Sequence, residues 1–287
     1  MSNHRVGRRQ LEDIRTGLAD REMEIIATVG AHRFLTTQQI CRFHFTDHLS
    51  KTAALRSANR TLSKLRDLRV LVALERRIGG VRAGSGAYVW SLGVIGARLL
   101  QKASALEGIR SRYREREPSV TFLRHTLAVA EVSLRLREAA RRDRISILGI
   151  EHEPDCWRAY SAPGGGIARL KPDLAVISAT DNFEDHWFFE VDLATEPPSR
   201  IVRTCLNYQG YYRSGVEQQR LGLFPAVVWI VPSTRRKETI ERHMKKSETI
   251  SARLFRVITL DEMELLLAEG AACPDPALTG AEIDRDP

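Results

Sequence analysis

The sequence has few cysteines, few lysines and no long apolar run. Its four cysteines, Cys41, Cys156, Cys205 and Cys273, are widely separated within 287 residues, which predicts reduced thiols and not a disulfide framework. No apolar run approaches the roughly 20 residues of a transmembrane helix. No apolar segment follows the charged N-terminus, so we expect a cytoplasmic protein without a membrane partner. The 43% hydrophobic and 28% charged residues are typical of a soluble globular chain.

Positive charge is concentrated in the first part of the chain. Residues 1–116 contain 22 basic and 10 acidic residues, whereas the remaining residues contain 22 basic and 26 acidic ones. Such an asymmetry indicates that the N-terminal part meets a polyanion. Of the 44 basic residues 37 are arginine, whose planar guanidinium suits phosphate and guanine.

Apolar residues at helical spacing predict three helices near the N-terminus. The first covers residues 20–33 with Asp20 as its cap, and the second begins at Thr36 or Thr37. The third covers residues 51–69, with Ser50 as its cap and a buried stripe formed by Ala54, Ala58, Leu62 and Leu65. Residues 1–19 are expected to be a flexible basic N-terminus.

After the third helix the spacing of the apolar residues changes from that of a helix to that of strands. Val70–Arg77 and Ala87–Leu92 are predicted strands, joined by a glycine-rich basic turn that contains Arg82. Three helices followed by a β-hairpin with a basic tip are typical of a winged helix–turn–helix, which we assign to residues 20–116.

The third helix carries polar and basic residues opposite its apolar stripe. In a winged helix–turn–helix this helix enters the major groove, where arginine reads guanine, asparagine reads adenine, and lysine and serine contact the backbone. The predicted DNA-binding residues on the helix and hairpin are Lys51, Arg56, Ser57, Asn59, Arg60, Lys64, Arg76, Arg77 and Arg82. The alternatives are a solvated charged face, or a protein-docking or dimerisation module without DNA affinity.

The second half of the chain predicts an α/β domain over residues 117–270 and a tail over 271–287. A long amphipathic helix follows Pro118, and further helices are expected at 199–213, 235–250 and 261–270. The predicted strands are 145–151, 168–178, 186–194, 225–231 and 255–260.

Acidic residues occur on two neighbouring predicted strands of this domain. Asp173 follows Pro172 in "KPDLAVI", and Glu190 and Asp192 share one face of "FFEVDL". Clustered carboxylates bind Mg²⁺ or Mn²⁺, and a Pro-Asp pair followed by Glu-x-Lys is typical of metal-dependent nucleases. Asp192 stands where that lysine would be, while Lys171, Arg200 and Arg203 could supply positive charge. An active nuclease, a degenerate site and an ordinary hairpin all stay open here.

The order of several stretches resembles the bacterial replication-relaxation family, which is associated with plasmids and other mobile elements. These stretches are "HRFLTTQQICRFHF", "RTLSKLRDLRVLVALERR", "GAYVWSLGVIGARLL", "RHTLAVAEV", "LKPDLAVI", "FFEVDLATEPPSRI", "NYQGYYRSG" and "FPAVVWIVP". The resemblance covers roughly residues 20–235. It implies a winged helix–turn–helix followed by an α/β domain that resembles restriction endonucleases of the PD-(D/E)xK type. The fold class of the whole chain is then α+β.

The resemblance also implies site residues and partners. Asp173 and Glu190 match the family's acidic pair and are the metal ligands if the domain is a nuclease, and Glu131 is an additional acid. The role of His125 is open, and Asp192 departs from the nuclease pattern. We therefore expect a protein that binds double-stranded DNA in replication or DNA relaxation, with a degenerate nuclease-like domain that needs no cofactor. The alternative is a Mg²⁺- or Mn²⁺-dependent nicking endonuclease. Replication or relaxase proteins and a second copy of the chain are expected partners.

Overall fold

The structure, a computed structural model, describes residues 7–74, 88–103, 118–142, 145–161, 165–247 and 249–271. It is a mixed α/β protein that forms two compact units, residues 1–134 and 135–287. None of the helices in the described ranges is both long enough and apolar enough to cross a bilayer.

The N-terminal unit consists of helices around a small antiparallel sheet in the order β1-β3-β2. Its described elements are α1 (Arg8–Thr16), α2 (Asp20–His32), β1 (Leu35–Thr36), α3 (Thr37–His44), α4 (Lys51–Asp67), β2 (Leu71–Ala73), β3 (Val89–Leu92), α5 (Val94–Ala103) and the first part of α6 (Val120–Ala140).

Side chains at the helix starts explain where the helices begin. The hydroxyl of Thr36 accepts the N–H of Gln39 at 3.1 Å, and the hydroxyl of Ser50 accepts the N–H of Ala53 at 3.2 Å, so both predicted caps are confirmed. The predicted cap Asp20 is wrong, because α2 has Ala19 at its N-cap and the Glu22 carboxylate accepts the N–H of Ala19. Helix α1 lies within the N-terminus that was expected to be flexible.

The core of this unit contains the predicted stripe of α4: Ala54, Ala58, Leu62 and Leu65 are buried against α2, α3 and α5. Two glycines bring the start of α5 against the turn that follows α4. A Cβ atom on Gly93 would lie 2.3 Å from the carbonyl oxygen of Arg69, and one on Gly96 would lie 2.3 Å from that of Val70. Only glycine permits this approach.

The C-terminal unit contains a five-stranded mixed sheet in the order β10-β9-β8-β7-β4. The pairs β4–β7 and β7–β8 are antiparallel, and β8–β9 and β9–β10 are parallel. Its elements, after the end of α6, are β4 (Ser146–His152), β5 (Arg158–Ser161), β6 (Ile167–Leu170), β7 (Leu174–Ala179), β8 (Glu184–Val191), α7 (Pro198–Ser214), α8 (Val216–Leu221), β9 (Ala226–Val231), α9 (Thr234–Lys246), β10 (Phe255–Thr259) and α10 (Met263–Glu269).

Three features of this unit differ from the prediction. The strand predicted over 168–178 is two strands, β6 and β7, because β6 pairs with β5 in a separate hairpin. Neither β5 nor α8 was predicted. Both faces of the central strand β8 are buried, because Phe188 on the face that carries Glu190 is as completely buried as Phe189 on the other face.

The two units divide within α6. Residues 120–134 of this helix belong to the N-terminal unit, where Ala130 and Leu134 join the core. The rest of the helix belongs to the C-terminal unit. The boundary predicted near residue 117 lies outside the described residues, and the domain assignments stay predictions.

Candidate functional site

Helix α4 carries exposed positive charges that have no partner among the described residues. Lys51, Arg56, Asn59 and Arg60 are exposed, and Ser57 is half-buried. The side chains of Lys51, Arg56 and Arg60 form no ion pair or hydrogen bond with any other residue that the structure describes. An anionic ligand could therefore reach all three.

The remaining predicted DNA contacts differ in their accessibility. The ammonium group of Lys64 lies 2.7 Å from a carboxylate oxygen of Glu22, which ties α4 to α2. Arg76, Arg77 and Arg82 lie outside the described residues. All four stay predictions as DNA contacts.

Asp173 is held by the main chain of the neighbouring strand. Its N–H donates to the carbonyl oxygen of Phe189 at 3.1 Å, and its Oδ2 accepts the N–H of Val191 at 2.7 Å. The side chain is buried. Asp173 thereby extends the pairing of β7 and β8 beyond the end of β7, and its carboxylate is fixed next to the segment that carries Glu190.

Glu190 on β8 is half-buried and accepts a hydrogen bond of 2.7 Å from the hydroxyl of Tyr208 on α7. Burial raises the pKa of Glu190 well above its ordinary value, and the negative charge of Asp173 raises it further, while the bond from Tyr208 lowers it. Among the described residues no lysine or arginine forms an ion pair with Glu190. Asp173 and Glu190 are thus a close pair of carboxylates whose repulsion is not neutralised at Glu190.

Asp192 has a different environment from Glu190. Its buried carboxylate accepts two hydrogen bonds from the guanidinium of Arg236 on α9, at 2.6 and 3.2 Å, and the N–H of Ala194 donates to it at 3.0 Å. The same guanidinium also donates to the carbonyl oxygen of Glu196 at 2.7 Å. Asp192 is therefore satisfied by α9.

Two of the three cations that the sequence suggested for the acidic site have partners elsewhere, whereas Arg203 is exposed and pairs with no other described residue. The ammonium group of Lys171 lies 4.5 Å from the ring centre of Trp157, and Arg200 pairs with Glu196 at 2.9 Å. Arg236 was missed because it is far from Asp192 in sequence, and no local pattern relates the two residues.

The geometry offers a metal ion two carboxylates, those of Asp173 and Glu190. Within the described ranges no group of three or more histidine, cysteine, aspartate or glutamate side chains is arranged to hold a metal ion. Asp173 and Glu190 supply two oxygen ligands of the kind that Mg²⁺ prefers, and Asp192 is engaged with Arg236. Metal binding by the pair stays a prediction.

Glu131 lies on the part of α6 that belongs to the N-terminal unit. Its carboxylate accepts hydrogen bonds from Arg42 at 2.6 Å and from Gln39 at 3.3 Å, and Gln39 also donates to the carbonyl oxygen of Leu127. Glu131 therefore joins α6 to α3. Its catalytic role stays a prediction, and the role of His125 on the same helix stays open.

A second buried acid, Glu217 on α8, was not predicted from the sequence. It is fully buried, accepts a hydrogen bond from the hydroxyl of Tyr211, and pairs with Arg220 and, at 3.5 Å, with Arg158. Burial by itself would raise the pKa of Glu217, but Arg220, Tyr211 and Arg158 lower it below its ordinary value. The tyrosines of "NYQGYYRSG" were the available signal, because the hydroxyls of Tyr208 and Tyr211 each donate to one carboxylate, that of Glu190 and that of Glu217.

Comparison with known proteins identifies a family over most of the chain. The sequence profile described as replication-relaxation matches residues 26–227, which span both units. No curated protein and no solved structure matches the chain. Because the profile covers more than half of the sequence, the chain belongs to the replication-relaxation family, and this membership implies a role related to plasmid replication.

Proposed function

We propose that this protein binds double-stranded DNA through α4 and acts in the replication or relaxation of a plasmid or other mobile element. The observation that carries the proposal is the exposed pair Arg56 and Arg60, which are four residues apart on one face of this helix, together with the exposed Lys51 at its first position, all three without a partner among the described residues. Unneutralised cations on one helix face favour a polyanionic partner, and release of counterions from DNA supplies the binding free energy.

The arrangement of the N-terminal unit supports a winged helix–turn–helix. Helices α2, α3 and α4 precede the antiparallel strands β2 and β3, and β1 adds a third strand to their sheet. In this fold the helix that follows the turn, here α4, lies in the major groove. The basic segment between β2 and β3, which lies outside the described residues, would then supply the wing, and Arg76, Arg77 and Arg82 would contact flanking phosphates.

The C-terminal unit supports a nuclease-like fold whose site is degenerate. Strands β4, β7 and β8 form an antiparallel meander, and α7 leads into β9, which is parallel to β8. This order resembles that of restriction endonucleases, with Asp173 and Glu190 at the positions of their acidic pair. The lysine of such sites assists the attacking water, and here Asp192 occupies that position in an ion pair with Arg236.

Duplex binding by the full chain tests the proposal. We expect Arg56→Glu/Arg60→Glu to lower the affinity for duplex DNA by at least about 100-fold, because two phosphate or base contacts become repulsive. Fluorescence anisotropy with a labelled random-sequence duplex at several salt concentrations measures this. The matched control is Arg169→Glu, which reverses an exposed arginine on the β5–β6 hairpin. Equal affinity of the double variant and the wild type would reject α4 as the DNA-binding helix.

The adjacency of Asp173 and Glu190 favours one second candidate, a metal-dependent nicking endonuclease. A Mg²⁺ or Mn²⁺ ion held by these two carboxylates would neutralise phosphate charge and activate water. Supercoiled plasmid incubated with the protein and either ion distinguishes the two functions. Nicking that is lost in Asp173→Asn and Glu190→Gln, but kept in the exposed control Asp155→Asn, would establish the enzyme. A winged helix that serves only in docking would instead leave the protein without duplex affinity at low salt.

Homodimerisation and contacts with replication or relaxase proteins belong to the same proposal. Winged-helix proteins often bind DNA as two-fold symmetric dimers, whose half-sites then repeat in the DNA. Sedimentation of the protein with and without duplex would give the stoichiometry.

A further inference from the structure

Helix α9 is a basic element in the more acidic half of the chain. Six of its 13 residues are lysine or arginine, whereas residues 117–287 as a whole contain 22 basic and 26 acidic residues. The bulk charge of this half therefore gives no indication of the local charge on α9.

The inner face of α9 is determined by three residues that are four positions apart. Ile240 and Met244 are buried in the core of the C-terminal unit, and Arg236 forms the ion pair with Asp192. Residues at this spacing lie on one side of a helix. The position and the rotation of α9 are thus fixed by apolar packing together with a buried ion pair.

The opposite face of the same helix carries Arg235, Arg242 and Lys246, which we call the outer stripe. Their spacings of seven and four residues place them on one side of the helix, separated along its axis by about 10 Å and about 6 Å. All three are exposed, and their side chains form no ion pair or hydrogen bond with another residue in the described part of the chain. Lys237, by contrast, pairs with Glu262 at 2.7 Å.

Helix stability does not account for the outer stripe. Cations near a helix C-terminus are favourable, which explains Lys246, but Arg235 lies in the first turn, where a cation opposes the helix dipole. Arg242 and Lys246 are four residues apart and repel each other, and Glu238, four residues before Arg242, offsets only part of this repulsion because it forms no ion pair with either residue. A ligand of opposite charge removes both costs, and a row of exposed cations along a helix suits the phosphates of a nucleic-acid backbone.

We propose that the outer stripe of α9 is a second phosphate-binding surface, which contacts the backbone of duplex DNA without reading its sequence. The inference rests on the proposed function, since the ligand is again duplex DNA. In this arrangement Asp192 is a positioning residue, because its ion pair with Arg236 fixes the side of α9 that faces outward.

The test uses the full chain with Arg235→Gln, Arg242→Gln and Lys246→Gln combined. All three side chains are exposed, so the thermal unfolding curve should match that of the wild type. With a random-sequence duplex, we expect the affinity at moderate salt to fall about 10- to 100-fold. The slope of log affinity against log salt should become shallower by about 2 to 3, because each lost phosphate contact contributes about 0.9.

A control substitution on the same helix should change the affinity for duplex DNA in the opposite direction. Glu238→Gln removes an exposed negative charge from α9 and should strengthen duplex binding. The α4 and α9 variants should also differ in their effect on sequence preference. Arg56→Glu/Arg60→Glu should change the sequences that the protein selects from a random duplex pool, whereas the triple glutamine variant should leave them unchanged.

The outcomes separate the two proposals. A wild-type salt slope and affinity in the triple variant would overturn the second surface while leaving DNA binding by α4 in place. Wild-type affinity in the α4 variant together with a loss in the triple variant would support α9 and reject α4. A protein that retains no duplex even at low salt would reject both.

Discussion

The two units place their charged residues in opposite ways. In the N-terminal unit the cations of α4 lie on the outside, and three of them have no partner among the described residues. In the C-terminal unit Asp173, Asp192 and Glu217 are buried, and specific donors hold each of them. Surface cations cost little stability and remain available to a ligand, whereas buried carboxylates require partners and define a unique interior. The first arrangement suits binding, and the second suits a rigid scaffold.

The largest expected effect on stability, which also tests this contrast most directly, comes from a substitution of Asp192. Asp192→Ala leaves the guanidinium of Arg236, which is only 13% exposed, without its carboxylate. We expect the free energy of unfolding to fall by about 3 to 5 kcal/mol, because an uncompensated buried charge is costly. Urea unfolding measures it, and Asp192→Ala/Arg236→Met should recover much of the loss. If the free energy of unfolding falls by less than it does for an ordinary surface substitution, the ion pair between Asp192 and Arg236 does not stabilise the fold.

Glu217→Gln should have the next largest effect and a characteristic pH dependence. The substitution weakens the charge-assisted bonds from Arg220 and Tyr211, at a cost of about 1 to 3 kcal/mol at neutral pH. The folded-state pKa of Glu217 is lowered, so its stabilisation is complete above the unfolded value near 4.5 and is lost as the pH falls through the folded value. Melting temperatures of variant and wild type should therefore converge in acid. A difference that is independent of pH would contradict the lowered pKa.

Ser50→Ala should have a smaller effect, of about 1 kcal/mol, because α4 loses the side-chain acceptor at its first turn. The surface cations of α4 remain, so the salt dependence of duplex binding should be unchanged even though the melting temperature falls. Ser50→Asp, which retains a capping oxygen, is the matched control. A changed salt slope in Ser50→Ala would mean that Ser50 itself contacts phosphate.

Glu190→Gln is the one substitution among these that should stabilise the protein, with the opposite sign from Glu217→Gln. The folded-state pKa of Glu190 is raised, so ionising this group costs stability as the pH increases above its unfolded value near 4.5. The glutamine variant should melt at the same temperature as the wild type in acid and at a higher temperature at neutral pH. Added Mn²⁺ should stabilise the wild type only if Asp173 and Glu190 hold the ion.

The sequence predicted the N-terminal elements better than it predicted the surroundings of the acidic residues. The caps Thr36 and Ser50 and the buried stripe of α4 were predictable because capping and helical periodicity act over only a few residues. The partner of Asp192 was not predictable, since Arg236 lies on another element and many cations in the chain could have filled that role.

The central position of β8 decided a point that alternation along the strand left open. Alternation along "FFEVDL" places Phe188 on the side of the acids, and that side is buried as well, since Phe188 and Phe189 are both fully buried on a strand with a neighbour at each edge. Sequence periodicity cannot distinguish a half-buried strand from one buried on both faces when the polar residues are themselves satisfied in the interior.

By itself, the sequence determined most of the helices and strands, the caps of α3 and α4 and the basic character of α4, because short-range periodicity, capping and charge are local properties. Only the tertiary structure decided which charges are buried and which are free. Tyr208 reaches Glu190, Tyr211 reaches Glu217 and Arg236 reaches Asp192. The physical reason is that a buried carboxylate requires a donor within about 3 Å, and which donor meets it depends on how distant elements pack.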